Sequence, residues 1–483
     1  MRRAGAGPAP PNSPRPHPRS LPAHLETHTL SEHHVLNPAT EEILATVPAS
    51  SESDVDAAVR RAVAAQESWA GVAPGDRARL LHRCAAAIDG HLEELARLEV
   101  AEAGHPIGNA RWEAGNARDL FAYAAGGVER LTGLQIPVAG GVNITMHEPL
   151  GVVAVIAPWN FPLPIACWGA APALAAGNAV LLKPAETTPL TALRLAELCL
   201  EAGLPEGLFQ VLPGAGPVAG AALVGHPGVA KVVFTGSTAV GKQIMAACAD
   251  RVKRVTLELG GKSPNIVFAD ADLDQAAAAA PASFLDNTGQ DCCARSRILV
   301  QRGVYDRFLE LLEPAVKSWR VGDPGDPDTQ MGPLISAAQR ERVRSYVPDD
   351  APVVVRGDAP GGKGFWYPAT VLAPASPDVP AAVEEIFGPV AVVLPFEDEA
   401  DAVRLANATA YGLSGSLWTR DVGRALRVSR AVAAGNLSVN SHSSVRYWTP
   451  FGGYKQSGLG RELGPDALVA FTETKNVFIS TGD

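Results

Sequence analysis

The sequence has few cysteines and none of the spacings that mark a zinc site or a redox pair. Its six cysteines, among 483 residues, include no CxxC pair and no cysteine–histidine cluster at zinc-ligand spacing. We therefore expect no metal site. Unpaired thiols are most simply explained by a reducing compartment, and we predict a cytoplasmic protein.

Long apolar runs and an excess of positive charge are also missing. No apolar stretch is long enough to span a bilayer without a polar interruption. The formal net charge of -10 argues against a surface for nucleic acid or anionic membrane. These absences favour a small-molecule partner, with no nucleic acid and no membrane.

The chain has enough apolar residues for a large interior, since 47% of them are hydrophobic. Its length exceeds what one compact core holds, so two or three domains are expected. Residues 1–30 differ, because Met1 to Leu21 is rich in Pro, Arg, Gly and Ala. We predict a disordered tail there, with a targeting segment or a wrongly assigned start codon as alternatives.

Between residues 150 and 260, short β-branched runs alternate with helical segments, which predicts a mostly parallel sheet covered by helices. The runs are Val152–Ile156, Ala179–Leu182, Phe209–Leu212, Lys231–Phe234 and Arg254–Leu257. Polar residues follow several of them, at the strand ends where such sheets bind ligands. A second α/β segment extends from about residue 262 to residue 450.

The stretch Asn287–Ala294 sets Cys292 beside small, glycine-bearing backbone that suits a nucleophilic thiol. A thiol needs a base or an activating environment to form thiolate near neutral pH. Glu258 lies in an apolar run ending in paired glycines, so partial desolvation should raise its pKa into the range of a base. The two residues form a candidate catalytic pair.

Three long motifs now stand in a recognisable order: PWNFP (158–162), ELGGKSP (258–264) and GQDC (289–292). From about residue 36 to residue 480 the chain closely resembles the aldehyde dehydrogenase superfamily. The resemblance implies an α/β fold with a Rossmann-like cofactor domain, an α/β catalytic domain and a small β oligomerisation arm. It places the NAD-binding domain at 31–127 and 148–260, the catalytic domain at 261–455, and the arm at 128–147 and 456–483.

The same resemblance assigns catalytic roles. Cys292 attacks an aldehyde, while Asn160 and the Cys292 amide stabilise the oxyanion. Glu258 activates the water that cleaves the thioester to a carboxylic acid. Gly169 departs from the many relatives that carry Lys after the tryptophan, so a proton relay through that position is in doubt. Cys293 is interpreted as a small buried residue.

The cofactor implied is NAD, with NADP second. Glu186 would bind the adenosine ribose and repel a 2′-phosphate, with Lys183 beside it, although a solvated surface pair is the alternative. The pyrophosphate is expected near Gly236 and Ser237, at a helix start. The remaining cofactor candidates implied by the resemblance are Trp159, Glu385 and Phe387.

Two short glycine motifs suggest other functions. Gly236–Lys242 has P-loop spacing, but Gln243 stands where a hydroxyl should hold magnesium. Gly214–Ala219 fits a dinucleotide fingerprint, yet it follows the third strand of the unit and Pro217 enters the turn. We reject both as primary functional motifs.

The substrate pocket is expected around the loop 440–451, as an apolar and partly aromatic funnel. Arg446 in this loop suggests a semialdehyde carboxylate, although a surface arginine stacked on a ring is the alternative. The identity of the aldehyde is left open. The candidate pocket residues are Phe161, Ile165, Trp168, Arg446, Tyr447, Trp448 and Phe451.

Two other functions compete with NAD-dependent aldehyde oxidation. An acylating relative would pass the thioester to coenzyme A, but that branch typically lacks a base such as Glu258. A non-catalytic protein that keeps the fold is the other alternative. The apolar edges at 133–148 and 472–480 pair across subunits in the resembled family, which predicts a homodimer or homotetramer.

Overall fold

A computed structural model describes residues 32–443 and 445–482. The predicted tail at 1–30 lies outside them. The strands, in chain order, are β1 (Glu32–Leu36), β2 (Ile43–Pro48), β3 (Gln135–Ile136), β4 (Gly141–Pro149), β5 (Val152–Ile156), β6 (Ala179–Lys183), β7 (Phe209–Val211), β8 (Val229–Thr235), β9 (Arg254–Glu258), β10 (Pro264–Val267), β11 (Arg297–Gln301), β12 (Val353–Arg356), β13 (Thr370–Leu372), β14 (Val390–Phe396), β15 (Ser414–Trp418), β16 (Asn436–Val439), β17 (Gly458–Leu459) and β18 (Thr472–Ser480). The α-helices are α1 (Glu52–Ala70), α2 (Pro74–Gly90), α3 (Leu92–Ala103), α4 (Ile107–Gly127), α5 (Pro162–Ala175), α6 (Leu190–Glu201), α7 (Ala221–Gly225), α8 (Thr238–Ala249), α9 (Leu273–Leu285), α10 (Tyr305–Lys317), α11 (Ala337–Ser345), α12 (Pro380–Val383), α13 (Glu399–Asn407) and α14 (Val422–Ala431).

The first large sheet has the order β17-β9-β8-β5-β6-β7. All neighbouring pairs are parallel except β17 with β9. Strands β5 and β6 are buried along their whole length, as expected for strands covered on both faces. The α/β fold and the five strands predicted in this region are therefore confirmed, with end points shifted by one or two residues.

The second large sheet has the order β12-β13-β14-β11-β10-β15-β16, in which only β12 with β13 is antiparallel. Helices cover both of its faces and bury two separate clusters of apolar side chains. The chain passes from β9 at the carboxyl edge of the first sheet into β10 of the second. The segments just before β10, β11 and β14 thus lie at the amino edge of the second sheet.

A smaller sheet has the order β18-β4-β3, with antiparallel pairing throughout. β18 and β4 pair over nine residues, from Thr472 opposite Pro149 to Ser480 opposite Gly141. Gly458–Leu459, within the range assigned from the sequence to the arm, pairs instead with β9 of the first sheet. That pairing is extended by the hydrogen bond from the Leu259 amide to the Ser457 carbonyl.

Residues adjacent in the sequence determine where α1, the first helix, begins. The side chain of Ser51 accepts a hydrogen bond from the amide of Asp54, and the Asp54 carboxylate accepts one from the Ser51 amide. This reciprocal capping box begins α1 at Glu52. Helix α5 is buried on all sides, so it lies inside the molecule rather than on its surface.

Among residues 32–443 and 445–482, no helix combines the length and the apolar character that crossing a bilayer requires. This agrees with the absence of long apolar runs in the sequence. The longest described helix, α4, carries charged side chains along its length.

Asn178 joins three segments, and its replacement gives a test of the packing. Its side chain accepts from the Gly151 amide (2.9 Å) and donates to the carbonyls of Ala173 and Phe471 (3.0 Å each). Asn178→Ala should lower the free energy of unfolding by about 2–4 kcal/mol, because these buried groups lose their partner. Urea denaturation measures this. Glu206→Ala, at an exposed turn, is the control, and equal midpoints for both variants would contradict the interpretation.

Candidate active site

Two cavities meet at Cys292, which lines both. One, here called the sheet-edge cavity, lies at the carboxyl edge of the first large sheet. The other, here called the aromatic cavity, lies on the opposite side of the thiol. The sheet-edge cavity is lined by Pro158, Trp159, Asn160, Thr235, Gly236, Ser237, Glu258, Leu259, Gly260, Cys292, Gln339, Arg342, Glu385 and Phe387. The aromatic cavity is lined by Trp112, Asn116, Phe161, Pro164, Ile165, Trp168, Ala282, Ser283, Asp286, Asp291, Cys292, Cys293, Arg295, His442, Ser443, Val445, Tyr447, Phe451 and Leu463.

The loop that carries Cys292 is held by close backbone contacts. Asn287 and Thr288 have φ of 47° and 57°, and Gly289 follows with φ of 70°. A Cβ at Gly289 would lie 2.2 Å from the Gly388 carbonyl oxygen, and one at Gly261 would lie 2.3 Å from that of Cys292. Only glycine permits these approaches without displacing backbone. Left-handed residues in series are strained, and such strain is common at functional sites.

Cys292 is half-buried, whereas Cys293 is buried. The contact with the Cys293 thiol raises the pKa of Cys292 well above its ordinary value, as do burial and the charges of Asp291 and Glu385. The thiol is therefore protonated near neutral pH in this state. Proton removal or a compensating positive charge is required before it becomes a nucleophile.

Asn160 lies between β5 and α5, buried against the Cys292 loop. Its side-chain Nδ2 donates to the Gln290 carbonyl at 3.0 Å. The Asn287 side chain donates in turn to the Asn160 carbonyl at 2.6 Å. These bonds fix Asn160 beside the thiol, and a side-chain amide has a second N–H for another acceptor.

Glu258 ends β9 and is only 2% exposed. Neither of its carboxylate oxygens has a hydrogen-bond partner among the described residues. Burial raises the pKa of Glu258 well above its ordinary value and the nearby Glu462 raises it further, while Arg461 lowers it. Burial also raises the pKa of Glu462 to about 7, despite a lowering by Lys231. The sequence analysis did not single out Glu462, which lies about two hundred residues from Glu258 in the chain.

The remaining candidates at the sheet-edge cavity converge from three elements. Trp159 and Phe387 meet edge to face with ring centroids 5.3 Å apart. Glu385 accepts from the Gly261 amide at 2.8 Å, and burial raises the pKa of Glu385 to about 7. Ser237 caps α8, beside Gly236, so the start of that helix opens into the cavity.

Lys183 and Glu186 lie at the end of β6, outside the residues that line this cavity. Lys183 is buried, with its Nζ 3.5 Å from the Glu186 carboxylate, and Glu186 accepts from the Gly216 amide at 2.8 Å. Burial by itself would raise the pKa of Glu186, but Lys183 and the Gly216 amide bring it below its ordinary value. The pair is thus partly enclosed, not a solvated surface pair.

The structure brings five of the seven predicted pocket residues to the aromatic cavity: Phe161, Ile165, Trp168, Tyr447 and Phe451. Trp448 is half-exposed and packs edge to face on Tyr447, with centroids 4.6 Å apart. Arg446 is exposed and donates to the Ser443 hydroxyl at 3.3 Å. Both lie outside the cavity lining.

Several lining residues were missed from the sequence: Trp112, Asp286, Asp291 and Arg295. Asp286, Asp291 and Arg295 flank the nucleophile in the chain, so their closeness in sequence was a usable signal. Trp112 lies on α4 and only folding brings it to the cavity.

A buried group of ionisable residues supports the same wall. His105 Nδ1 lies 2.9 Å from the Glu113 carboxylate and 3.5 Å from that of Glu99. The Glu99 carboxylate also accepts from the Leu163 amide at 2.9 Å, in the first turn of α5. His105 packs against Phe161 with centroids 5.7 Å apart. The group therefore positions the start of α5 next to Asn160.

Gly169 occupies a site where no larger side chain fits. A Cβ there would lie 2.9 Å from Val155 Cγ2 and 3.5 Å from Val233 Cγ1. The valines of β5 and β8 thus fill the space of the lysine expected in many relatives.

The site combines a thiol, a side-chain amide and a buried carboxylate between two cavities. A carbonyl compound in the aromatic cavity would reach the thiol from one side, and a second molecule in the sheet-edge cavity from the other. This arrangement suits nucleophilic attack by the thiol on the carbonyl compound, followed by transfer of a group from the adduct to the second molecule.

The chain is similar to known proteins over most of its length. Residues 24–477 match the Aldehyde dehydrogenase family. The chain is 43% identical over 456 residues to an aldehyde dehydrogenase of Emericella nidulans, covering 93% of this chain and 92% of that protein. It is 42% identical to a betaine aldehyde dehydrogenase of Cereibacter sphaeroides, covering 95% and 96%. An NAD+ complex of aldehyde dehydrogenase from Bacillus cereus superposes with a TM-score of 0.91 at 42% identity, covering 93% and 94%.

The raised pKa of Cys292 gives a prediction for the free protein. Cys293→Ala should shift the pH profile of Cys292 alkylation to lower pH, because the contact that raises the pKa of Cys292 most is removed. Iodoacetamide labelling, resolved by peptide mass spectrometry, gives the profile. Cys248→Ala, at a distant buried thiol, is the control. An unchanged profile in Cys293→Ala would refute this account of the thiol's protonation.

Proposed function

This chain belongs to the aldehyde dehydrogenase family, and on that premise we propose that it oxidises an aldehyde to a carboxylic acid through a thioester on Cys292, with NAD as the hydride acceptor. The observation that carries the proposal is the position of Cys292 where two cavities meet. The aromatic cavity would hold the aldehyde, and the sheet-edge cavity the reacting end of the cofactor.

The residues present fit a dinucleotide. The start of α8, beside Gly236 and Ser237, directs its helix dipole toward the space where a pyrophosphate would lie. Trp159, Glu385 and Phe387 surround the space beside Cys292, where Gly260 leaves room that a Cβ would close. When bound there, the nicotinamide accepts the hydride that leaves the aldehyde carbon.

The first chemical step is attack by the Cys292 thiolate on the aldehyde carbon. The Asn160 side-chain amide and the Cys292 backbone amide would stabilise the oxygen anion that forms. Loss of hydride from this adduct leaves a thioester. The buried surroundings of Asn160 strengthen its hydrogen bond to the anion, because water competes poorly there.

Glu258 is proposed as the base for the second step. It takes a proton from a water molecule, whose oxygen attacks the thioester, and the acid and the free Cys292 thiol are released. Burial raises the pKa of Glu258, which makes the carboxylate a stronger base than an exposed one. Its oxygens have no hydrogen-bond partner among the described residues, and Glu258 lines the sheet-edge cavity, where the water molecule would enter.

NAD is proposed over NADP because of Glu186. Its carboxylate is held by Lys183 and the Gly216 amide at the end of β6. We propose that it binds the adenosine ribose hydroxyls, where a 2′-phosphate would meet a like charge. Lys183 is available to either cofactor.

The three-stranded sheet is proposed as an oligomerisation arm, in a homodimer or homotetramer. Its exposed apolar side chains include Val142, Met146, Phe478 and Ile479, which another subunit would cover. The two large sheets are proposed as the cofactor and catalytic domains. All six cysteines are free, which supports the proposed reducing, cytoplasmic location.

Glu258→Gln tests the mechanism. The variant should give a burst of NADH and then turn over slowly, since it forms the thioester but lacks the base that activates water. Stopped-flow absorbance gives the burst, and intact-protein mass spectrometry detects the acyl-enzyme.

The controls for this test separate the alternatives. Cys292→Ala should give neither burst nor acyl-enzyme, and Glu206→Gln should behave like the unmodified protein. The mechanism is wrong if Glu258→Gln binds both ligands but forms no acyl-enzyme. Turnover that requires added coenzyme A would identify the acylating alternative.

Glu186→Ser tests the cofactor preference. The unmodified enzyme should favour NAD over NADP by about 1 kcal/mol or more in kcat/KM, and the variant should narrow that gap by relieving the repulsion. Lys183→Ala should weaken the binding of both NAD and NADP, while Glu206→Ser should leave the binding of both unchanged. Equal kcat/KM for NAD and NADP in the unmodified enzyme, at one ionic strength, would remove Glu186 from the selectivity argument.

A further inference from the structure

Two carboxylates lie in the wall of the aromatic cavity, and the proposed mechanism uses neither. Asp291 immediately precedes Cys292, and Asp286 lies at the end of α9. An aldehyde cavity needs no acid for the attack itself, in which Asn160 is proposed to stabilise the oxygen anion. Carboxylates in a wall this rich in aromatic rings are costly unless a positive charge lies beside them.

The hydrogen bonds of Asp286 leave part of its carboxylate available. Its Oδ1 accepts from Asn109 Nδ2 at 2.6 Å and from the Asn287 amide at 3.1 Å. Among the described residues, Asp286 forms no ion pair within 4 Å, and both of these hydrogen bonds use Oδ1. Asp286 is thus oriented by neutral donors on one oxygen only.

The charge of Asp286 is retained in neutral solution. Burial raises the pKa of Asp286 to about 6 and the charge of Asp291 contributes, whereas His105 and Asn109 lower it. Above that pH the group is mainly ionised. A cation placed beside Asp286 would lower the pKa of its carboxyl group and so keep it ionised.

The described lining of the aromatic cavity has an excess of one negative charge. Asp286 and Asp291 are opposed by one guanidinium, that of Arg295, which also donates to the Cys293 carbonyl at 3.0 Å. His442 adds no charge, because burial lowers the pKa of His442 to about 3, helped by Arg295. Arg446, the residue considered for a substrate carboxylate, lies outside the lining.

Aromatic faces complete the surroundings of these carboxylates. Trp112, Phe161, Trp168, Tyr447 and Phe451 line the same cavity. Aromatic faces attract cations, including quaternary ammonium groups, and repel anions. The carboxylates and the aromatic rings therefore both favour a positively charged ligand.

We propose that this enzyme prefers aldehydes that carry a positive charge, an ammonium or quaternary ammonium group, at the end remote from the carbonyl, and that Asp286 recognises that charge. The inference rests on the proposed function, since the carbonyl end is taken to lie at Cys292. The positive end would also weaken the repulsion by which Asp291 disfavours the Cys292 thiolate.

The test compares two aldehydes of the same shape, one cationic and one neutral, with a third that is anionic. Trimethylammonioacetaldehyde and 3,3-dimethylbutanal differ by the replacement of a charged nitrogen with carbon, and succinic semialdehyde supplies the opposite charge. In the unmodified enzyme kcat/KM, measured with NAD, should be about tenfold or more higher for the cationic aldehyde than for the neutral one. Succinic semialdehyde should be the poorest of the three.

Two variants of Asp286 identify the residue responsible. Asp286→Asn keeps an oxygen acceptor for Asn109 and the Asn287 amide but removes the charge, so the cationic-to-neutral ratio should fall to about 2 or less. Asp286→Glu keeps the charge and should retain most of the preference. Asp274→Asn, an equal change of charge at the exposed start of α9, is the matched control and should leave the ratio unchanged.

The outcomes separate this inference from the function on which it rests. Oxidation of the neutral aldehyde at least as well as the cationic one, or a preference for succinic semialdehyde, overturns the inference and leaves the aldehyde dehydrogenase activity standing. A retained ratio in a folded Asp286→Asn overturns the role of Asp286. If none of the three aldehydes is oxidised, the proposed function is what fails.

Discussion

The contact of the Cys292 loop with Gly261 is the constraint on which the site depends. The Cys292 carbonyl approaches Gly261 so closely that a Cβ there would lie 2.3 Å from it. Gly289 makes a similar approach to the Gly388 carbonyl. These two contacts fasten the loop before β11 to the segments before β10 and β14. The thiol is thereby fixed between the carboxyl edge of one sheet and the amino edge of the other.

Electrostatics at this junction follow from burial and from the sign of the neighbours. The Cys293 thiol does most to raise the pKa of Cys292 in the free protein, and burial and the charges of Asp291 and Glu385 add to the effect. Burial raises the pKa of both Glu258 and Glu462, and the charge of Glu462 raises that of Glu258 further. Burial thus raises the pKa of the acidic groups at this junction, and a positively charged ligand would lower it. The same kind of electrostatic interaction therefore acts on the Cys292 thiol, on Glu258 and on Asp286, the residue proposed to recognise cationic aldehydes.

Much of the fold could be predicted, because β-branched runs and capping residues act locally. The strands from β5 to β9 were placed within one or two residues, and Ser51 marks the start of α1. The pairing of β17 with β9 was missed, since two residues joined to a strand two hundred positions away give no local signal. Trp448 and Arg446 were expected in the pocket but lie outside its lining, because residue type does not fix side-chain direction in a loop.

The sequence by itself determined the family, the α/β fold and the motifs that carry the candidate nucleophile, amide and base. These depend on short segments whose residues are adjacent in the chain. Only the tertiary structure decided that Cys292 lies where two cavities meet, that valines fill the space beside Gly169, and that Asp286 joins an aromatic wall containing Trp112. Burial, charge coupling and cavity shape are properties of residues distant in the chain, so they arise only when the chain folds.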